Sequence, residues 1–245
     1  MKKVLIVVSF LVMTAVYGLA LPAVGEGDTA AVKTDSLPAA QADTLAADSV
    51  SEKPHRLNDE DYQRVADELG IDMATMKAVV EIEAGHTHIG MVEEGKALIN
   101  FDLGVFKSLM RRNKKSIKPY LSYEAFKKVN VRKYGSYGKA QWARLESART
   151  IDADLANQAT FWGMFQIGGF NWKKCGCSSI DEFVERMCRS EQEQLELFAQ
   201  FCIHMDLVKY LKKHDWNSFA YHYNGPRYRS LGYHTRLRKA YAKHK

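Results

Sequence analysis

Met73-Ala-Thr-Met-Lys-Ala-Val-Val-Glu-Ile-Glu-Ala-Gly85 decides how the rest of this 245-residue chain is read. Met76, Val79 and Val80 recur at helical spacing, and Glu83 follows them by seven, four and three positions, so a helix here puts that carboxylate on the face it buries. Glu81 follows Lys77 by four positions and falls on the solvated face. Asp72 is a suitable N-cap and Gly85 a suitable residue just past the end, which places Glu83 in the last turn, at the negative end of the helix dipole. Burial and that dipole both disfavour its ionised form. A carboxyl kept protonated near neutral pH on the wall of a cleft is what a general acid for glycoside cleavage requires. The plainer alternative is a partly buried Glu paired with one of the many Lys and Arg.

N-terminal to this helix the composition changes twice. Lys2 and Lys3 precede an apolar run from Val4 to Leu21 that is followed by small residues, the pattern of a cleavable export signal over 1–25, with an uncleaved membrane anchor as the alternative. The stretch that follows, up to residue 56, is rich in Ala, Asp, Ser and Thr, has no aromatic residue and reads as a disordered acidic spacer. Residues 53–245 carry a net charge of +9, so the folded part is basic. In an exported protein, periplasmic or extracellular, that charge suits an anionic polymer of the cell wall or an anionic membrane better than nucleic acid. About 190 residues remain at 57–245, enough for one domain with a sizeable core. Cys175, Cys177, Cys188 and Cys202 are compatible with one or two disulfides, and Cys-Gly-Cys is not metal spacing, so no metal or cofactor is expected.

C-terminal to it the chain reads as a series of helices. Asn58 or Asp59 caps Glu60 to Leu69. Residues Ala97 to Phe101 form a strand or the approach to a helix, with room for a short β-hairpin between residues 87 and 101. Helical segments are expected around Phe106 to Met110, from Ser122 to Val129, around Trp142 and Leu145, and from Asp152 to Phe161. Further helices are expected after Ser179 or Asp181, across Leu195 to Met205, from Trp216 to Tyr223, and from Tyr233 to Tyr241. The fold class is mostly α. Two loops stand out. His86 and His88 follow the Glu83 helix as loop histidines, and Tyr134 to Lys139 offers Tyr137 as an aromatic that could stack on a sugar. In Phe161-Trp-Gly-Met-Phe-Gln-Ile-Gly-Gly-Phe-Asn171, Gln166 is a lone amide among glycines and apolar residues, placed to bond either a sugar or the loop's own backbone.

Four stretches together resemble the N-acetylmuramidase family of phage endolysins and bacterial cell-wall hydrolases: Val80-Glu-Ile-Glu83; Leu98-Ile-Asn-Phe-Asp102 with Val105-Phe106; Trp162 to Asn171; and Tyr223-Asn-Gly-Pro226 with Gly232-Tyr233 and Ala240-Tyr241. The resemblance implies a lysozyme-like helical domain, with peptidoglycan as substrate and cleavage of the β-1,4 bond between N-acetylmuramic acid and N-acetylglucosamine. It places Glu83 on the catalytic acid, Gln166 on a loop amide, Tyr223 and Asn224 in the sugar cleft, and Asp102 on a second carboxylate. Members usually have Ser where this chain has Ala84, and often Phe-Glu-x-His where it has Phe101-Asp-Leu-Gly104. A monomer is expected, touching the membrane only through its signal segment. A lytic transglycosylase and an inactive glycan-binding module are the alternative readings.

Overall fold

The computed structural model describes residues 56–84, 89–127 and 138–245. The signal segment, the spacer up to residue 55, His86, His88, Tyr134 and Tyr137 lie outside the described residues. Helix α1 (Asp59–Leu69) starts at Asn58, whose side chain accepts from the amides of Glu60 and Asp61 while Asp61 returns a 3.0 Å bond to the Asn58 amide. It stops at Gly70, where φ is +63°. Helix α2 (Met73–Glu83) starts at Asp72, which accepts from the Thr75 amide at 2.6 Å, and buries Met76, Ala78, Val79 and Val80.

Strands β1 (Met91–Glu93) and β2 (Lys96–Ala97) form the hairpin for which the sequence left room. A second antiparallel sheet was not expected: β3 (Ile99–Phe101), β4 (Thr160–Trp162) and β5 (Ile167–Gly168) are ordered β3-β4-β5, with Ile99 opposite Trp162 and Phe161 opposite Gly168. The helix expected from Asp152 to Phe161 therefore ends early. Helix α3 (Leu103–Arg112) and α4 (Lys139–Arg149) precede α5 (Ala153–Gln158), after which β-branched Thr160 and aromatic Phe161 and Trp162 are buried as a strand. Within Ser122 to Lys127 only the turn Glu124–Phe126 is helical, as a 3₁₀ segment.

Helices α6 (Ile180–Arg189) and α7 (Glu191–His204) follow, each begun by a serine, Ser179 and Ser190. Leu195, Leu197, Phe198, Ala199 and Cys202 of α7 are fully buried and form the middle of the core. The short α8 (Val208–Lys212) leads to α9 (Trp216–Asn224) and α10 (Tyr233–His244). Helix α10 lies along α2: Tyr241 donates to Asp72 at 3.1 Å, and Lys243 and the His244 ring reach Glu81 at 2.8 and 2.7 Å. All four cysteines are free thiols, Cys188 half-buried and the others buried. They are spread over α6, α7 and the 3₁₀ segment Gly169–Cys175 with the turn after it, and burial pushes the thiols of Cys175 and Cys202 up, so they serve as neutral core side chains.

Candidate active site

The two carboxylates of α2 part as their helical phase requires. Glu81 faces α10, where bonds from Lys243, then His244, hold its carboxyl below the usual range. Glu83, at the last position of the helix, turns toward the end of α9, where Asn224 Nδ2 donates to its Oε2 at 2.8 Å. The residue keeps some exposure, yet its Oε1 is buried and has no hydrogen-bond partner among the described residues. Loss of hydration raises its pKa from 4.5 to about 7, against the opposing effects of the Asn224 bond and the positive charge of Arg236. Because Oε2 is occupied by a donor, the proton belongs on Oε1. The acidic hydrogen is thus on the oxygen that no protein group holds.

Asn224 is aimed by its surroundings. Gly225, with φ at +83°, takes the chain away sharply after α9, and Asn224 Oδ1 is a second buried acceptor without a partner among the described residues. One residue earlier, Tyr223 is 6% exposed and donates to the Phe165 carbonyl at 3.2 Å. Its ring is stacked on Phe219 with centroids 5.5 Å apart and meets the rings of Phe198 and Phe201. Burial, then the nearby charge of Glu83, pushes its hydroxyl well up. Tyr223 is therefore a buttress between Glu83 and the loop Gly163 to Gly168, with its ring packed in the core.

Gln166 makes a bond within its own loop. Its backbone is left-handed, φ +49°, and its Nε2 donates to the Gly163 carbonyl at 2.8 Å, closing the loop on itself. Asp102 caps α3 by accepting from the Val105 amide at 2.9 Å, and its charge acts on Arg144, a buried cation that bonds the carbonyls of Phe101 and Ala125 at 3.3 Å each. Tyr137 lies outside the described residues.

The structure adds residues that the sequence reading passed over. Gln194 of α7, fully buried, donates to the carbonyls of Gly90 and Met187 at 3.0 and 2.8 Å and accepts from the Met164 amide at 2.8 Å. One turn before it, Glu191 accepts from the Gly90 amide at 2.8 Å. One helix thereby fixes Gly90, seven residues after Glu83, and the start of the Gln166 loop. The available signal was a polar pair on an apolar helical face, the same signal that singled out Glu83. Tyr233 and Arg236 also adjoin the acid: burial and the Glu83 charge push the Tyr233 hydroxyl up, and Arg236 lies over the Tyr233 ring at 5.4 Å.

A buried carboxyl of raised pKa ending a core helix, in a mostly helical domain with small antiparallel sheets, fits a lysozyme-like peptidoglycan hydrolase, and that is the class to which the fold points. The sequence model of the N-acetylmuramidase family matches residues 72–245, so the chain belongs to that family. Among solved structures it is similar to the crystal structure of the Burkholderia AP3 phage endolysin, with 34% identity over 80% of this chain and 74% of that one, and a TM-score of 0.67. No curated protein sequence matches.

Proposed function

We propose that the protein hydrolyses the β-1,4 bond between N-acetylmuramic acid and N-acetylglucosamine in peptidoglycan, with Glu83 as the general acid. The observation that carries this reading is the Glu83 carboxyl, bonded by Asn224 on Oε2, buried and unpartnered among the described residues on Oε1, with its pKa raised by burial to about 7. In the reaction the Oε1 proton passes to the leaving glycosidic oxygen as the bond to the anomeric carbon breaks, and the oxocarbenium-like centre takes up water. Asp102 is proposed to orient that water, a role that rests on the family position it occupies. The apparent export signal supports action outside the cytoplasm, in the periplasm or beyond the cell.

Mass analysis of peptidoglycan digested by the full chain tests the reaction. Fragments ending in reducing N-acetylmuramic acid are expected. Ends in 1,6-anhydro-muramic acid would assign a transglycosylase instead, and no fragments at all would leave only binding.

A further inference from the structure

The positive charge of the folded part lies in two basic stretches, residues 103–145 with twelve Lys and Arg against one acid, and the C-terminal residues 216–245. Residues 56–215 hold 24 Lys and Arg against 23 Asp and Glu, a balance of +1, whereas residues 216–245 hold seven Lys and Arg and no acid. These last thirty residues include α9 and α10, which supply Asn224, Tyr233 and Arg236 around Glu83. Lys243 is committed to Glu81, but Arg236 is exposed and has no ion-pair partner among the described residues. Its guanidinium is placed by the Tyr233 ring, 5.4 Å from the centroid. Because Glu83 is neutral when it is ready to act, it does not cancel the Arg236 charge. A cation is thus left uncompensated beside the acid.

We propose that Arg236, oriented by Tyr233, forms an anion subsite next to Glu83 that takes a carboxylate borne by the glycan strand, so that the enzyme favours carboxylate-bearing glycan over neutral β-1,4 N-acetylglucosamine oligomers. This deepens the function proposed above and rests on it. The planar guanidinium suits a carboxylate bidentately, and the acid-free segment around it adds a field that draws anions.

The test measures binding of the full-length Glu83→Gln protein to isolated peptidoglycan, native or with its carboxylates converted to amides. Adding Arg236→Gln is expected to weaken binding to native peptidoglycan about two- to fivefold, the range for an exposed charge pair, and to have no such effect on the amidated material. Arg112→Gln, an equal loss of charge on the end of α3, serves as the control. With peptide-stripped glycan, whose carboxylates are the lactyl groups that stripping frees, an effect that vanishes assigns the stem peptide, and one that persists shows that the subsite also takes a freed lactyl carboxylate; either supports the subsite. Equal weakening on native and amidated peptidoglycan, or the same weakening from Arg112→Gln, would overturn it. Cleavage by the Glu83→Gln protein would instead refute the acid and leave the binding comparison readable. In the otherwise wild-type enzyme, Arg236→Gln should raise KM for peptide-bearing glycan more than for the neutral oligomer, and a loss confined to kcat would count against the subsite.

Discussion

Replacing Glu83 by Gln should make the protein more stable as it makes it inactive, and only at neutral to alkaline pH. The folded state holds the Glu83 proton up to about pH 7, where an ordinary glutamate releases it at 4.5. Between those two values the native state keeps a proton that the unfolded chain has lost, so this carboxyl makes stability fall as pH rises, levelling off above about 7. At about 1.36 kcal/mol per pH unit, the ionised carboxylate costs the fold about 3 kcal/mol. Gln resembles the neutral acid: its carbonyl can accept from Asn224, and its amide nitrogen takes the place of the protonated oxygen. For a domain of this size about 3 kcal/mol corresponds to about 6 to 12 °C in Tm. Thermal unfolding of wild type and Glu83→Gln, at about pH 4 and about pH 8, should therefore show a variant advantage at the higher pH that exceeds the one at the lower pH by that amount. Turnover should meanwhile fall by at least about 10² to 10⁴, because an amide has no acidic proton to give. A Tm difference between the two proteins that is the same at both pH values would refute a buried, neutral Glu83.

The same acid should make kcat/KM fall about tenfold per pH unit above about 7, since only the protonated form acts, and a flat alkaline limb in the pH–rate profile would count against it. Asn224→Ala removes the hydrogen bond that favours the ionised carboxylate, so that limb should move to higher pH while kcat drops. Gly163→Ala should destabilise by about 1 to 3 kcal/mol in denaturant unfolding, because φ is +69° there and a Cβ would lie 2.7 Å from Gln194. Asp102→Asn keeps a good N-cap, so its stability should exceed that of Asp102→Ala by about 1 kcal/mol; turnover should fall by about 10² to 10⁴ in both if Asp102 orients the water, and wild-type turnover by Asp102→Asn would remove it from the reaction.

The helices were legible because their signals are local. Asn58, Asp72, Ser179 and Asp215 each close the first turn with their own side chain, and the apolar residues of α1, α2, α6 and α7 recur at the helical period. The second sheet was not legible for the converse reason. Three residues, Thr160 to Trp162, are too few to show a period, and they are a strand because Ile99, Asn100 and Phe101 lie opposite them from sixty residues away. α8, five residues between two turns, likewise owes its form to what it joins.

For the site, helical phase and residue type carry different information. Glu83 could be found because the buried face of α2 is fixed by its own neighbours, and an acid on that face must be neutralised or paired. Tyr223 and Gln166 have the chemistry for gripping sugars, but where a hydroxyl or an amide points is decided by the partner it meets: the Phe165 carbonyl for one and the Gly163 carbonyl for the other. Both residues bond backbone carbonyls of the Gly163 to Gly168 loop. The groups left over at Glu83 are of a different kind, an unpartnered carboxyl oxygen, the Asn224 oxygen beside it and the uncompensated Arg236. A packed protein leaves few buried polar atoms unmet, so under the proposed function the two buried oxygens, with the exposed Arg236 near them, are where a ligand's donors and charge would be met. Two of the three come from the last thirty residues, so one acid-free, basic stretch of sequence carries both the hydrogen-bond partner of Glu83 and the exposed Arg236.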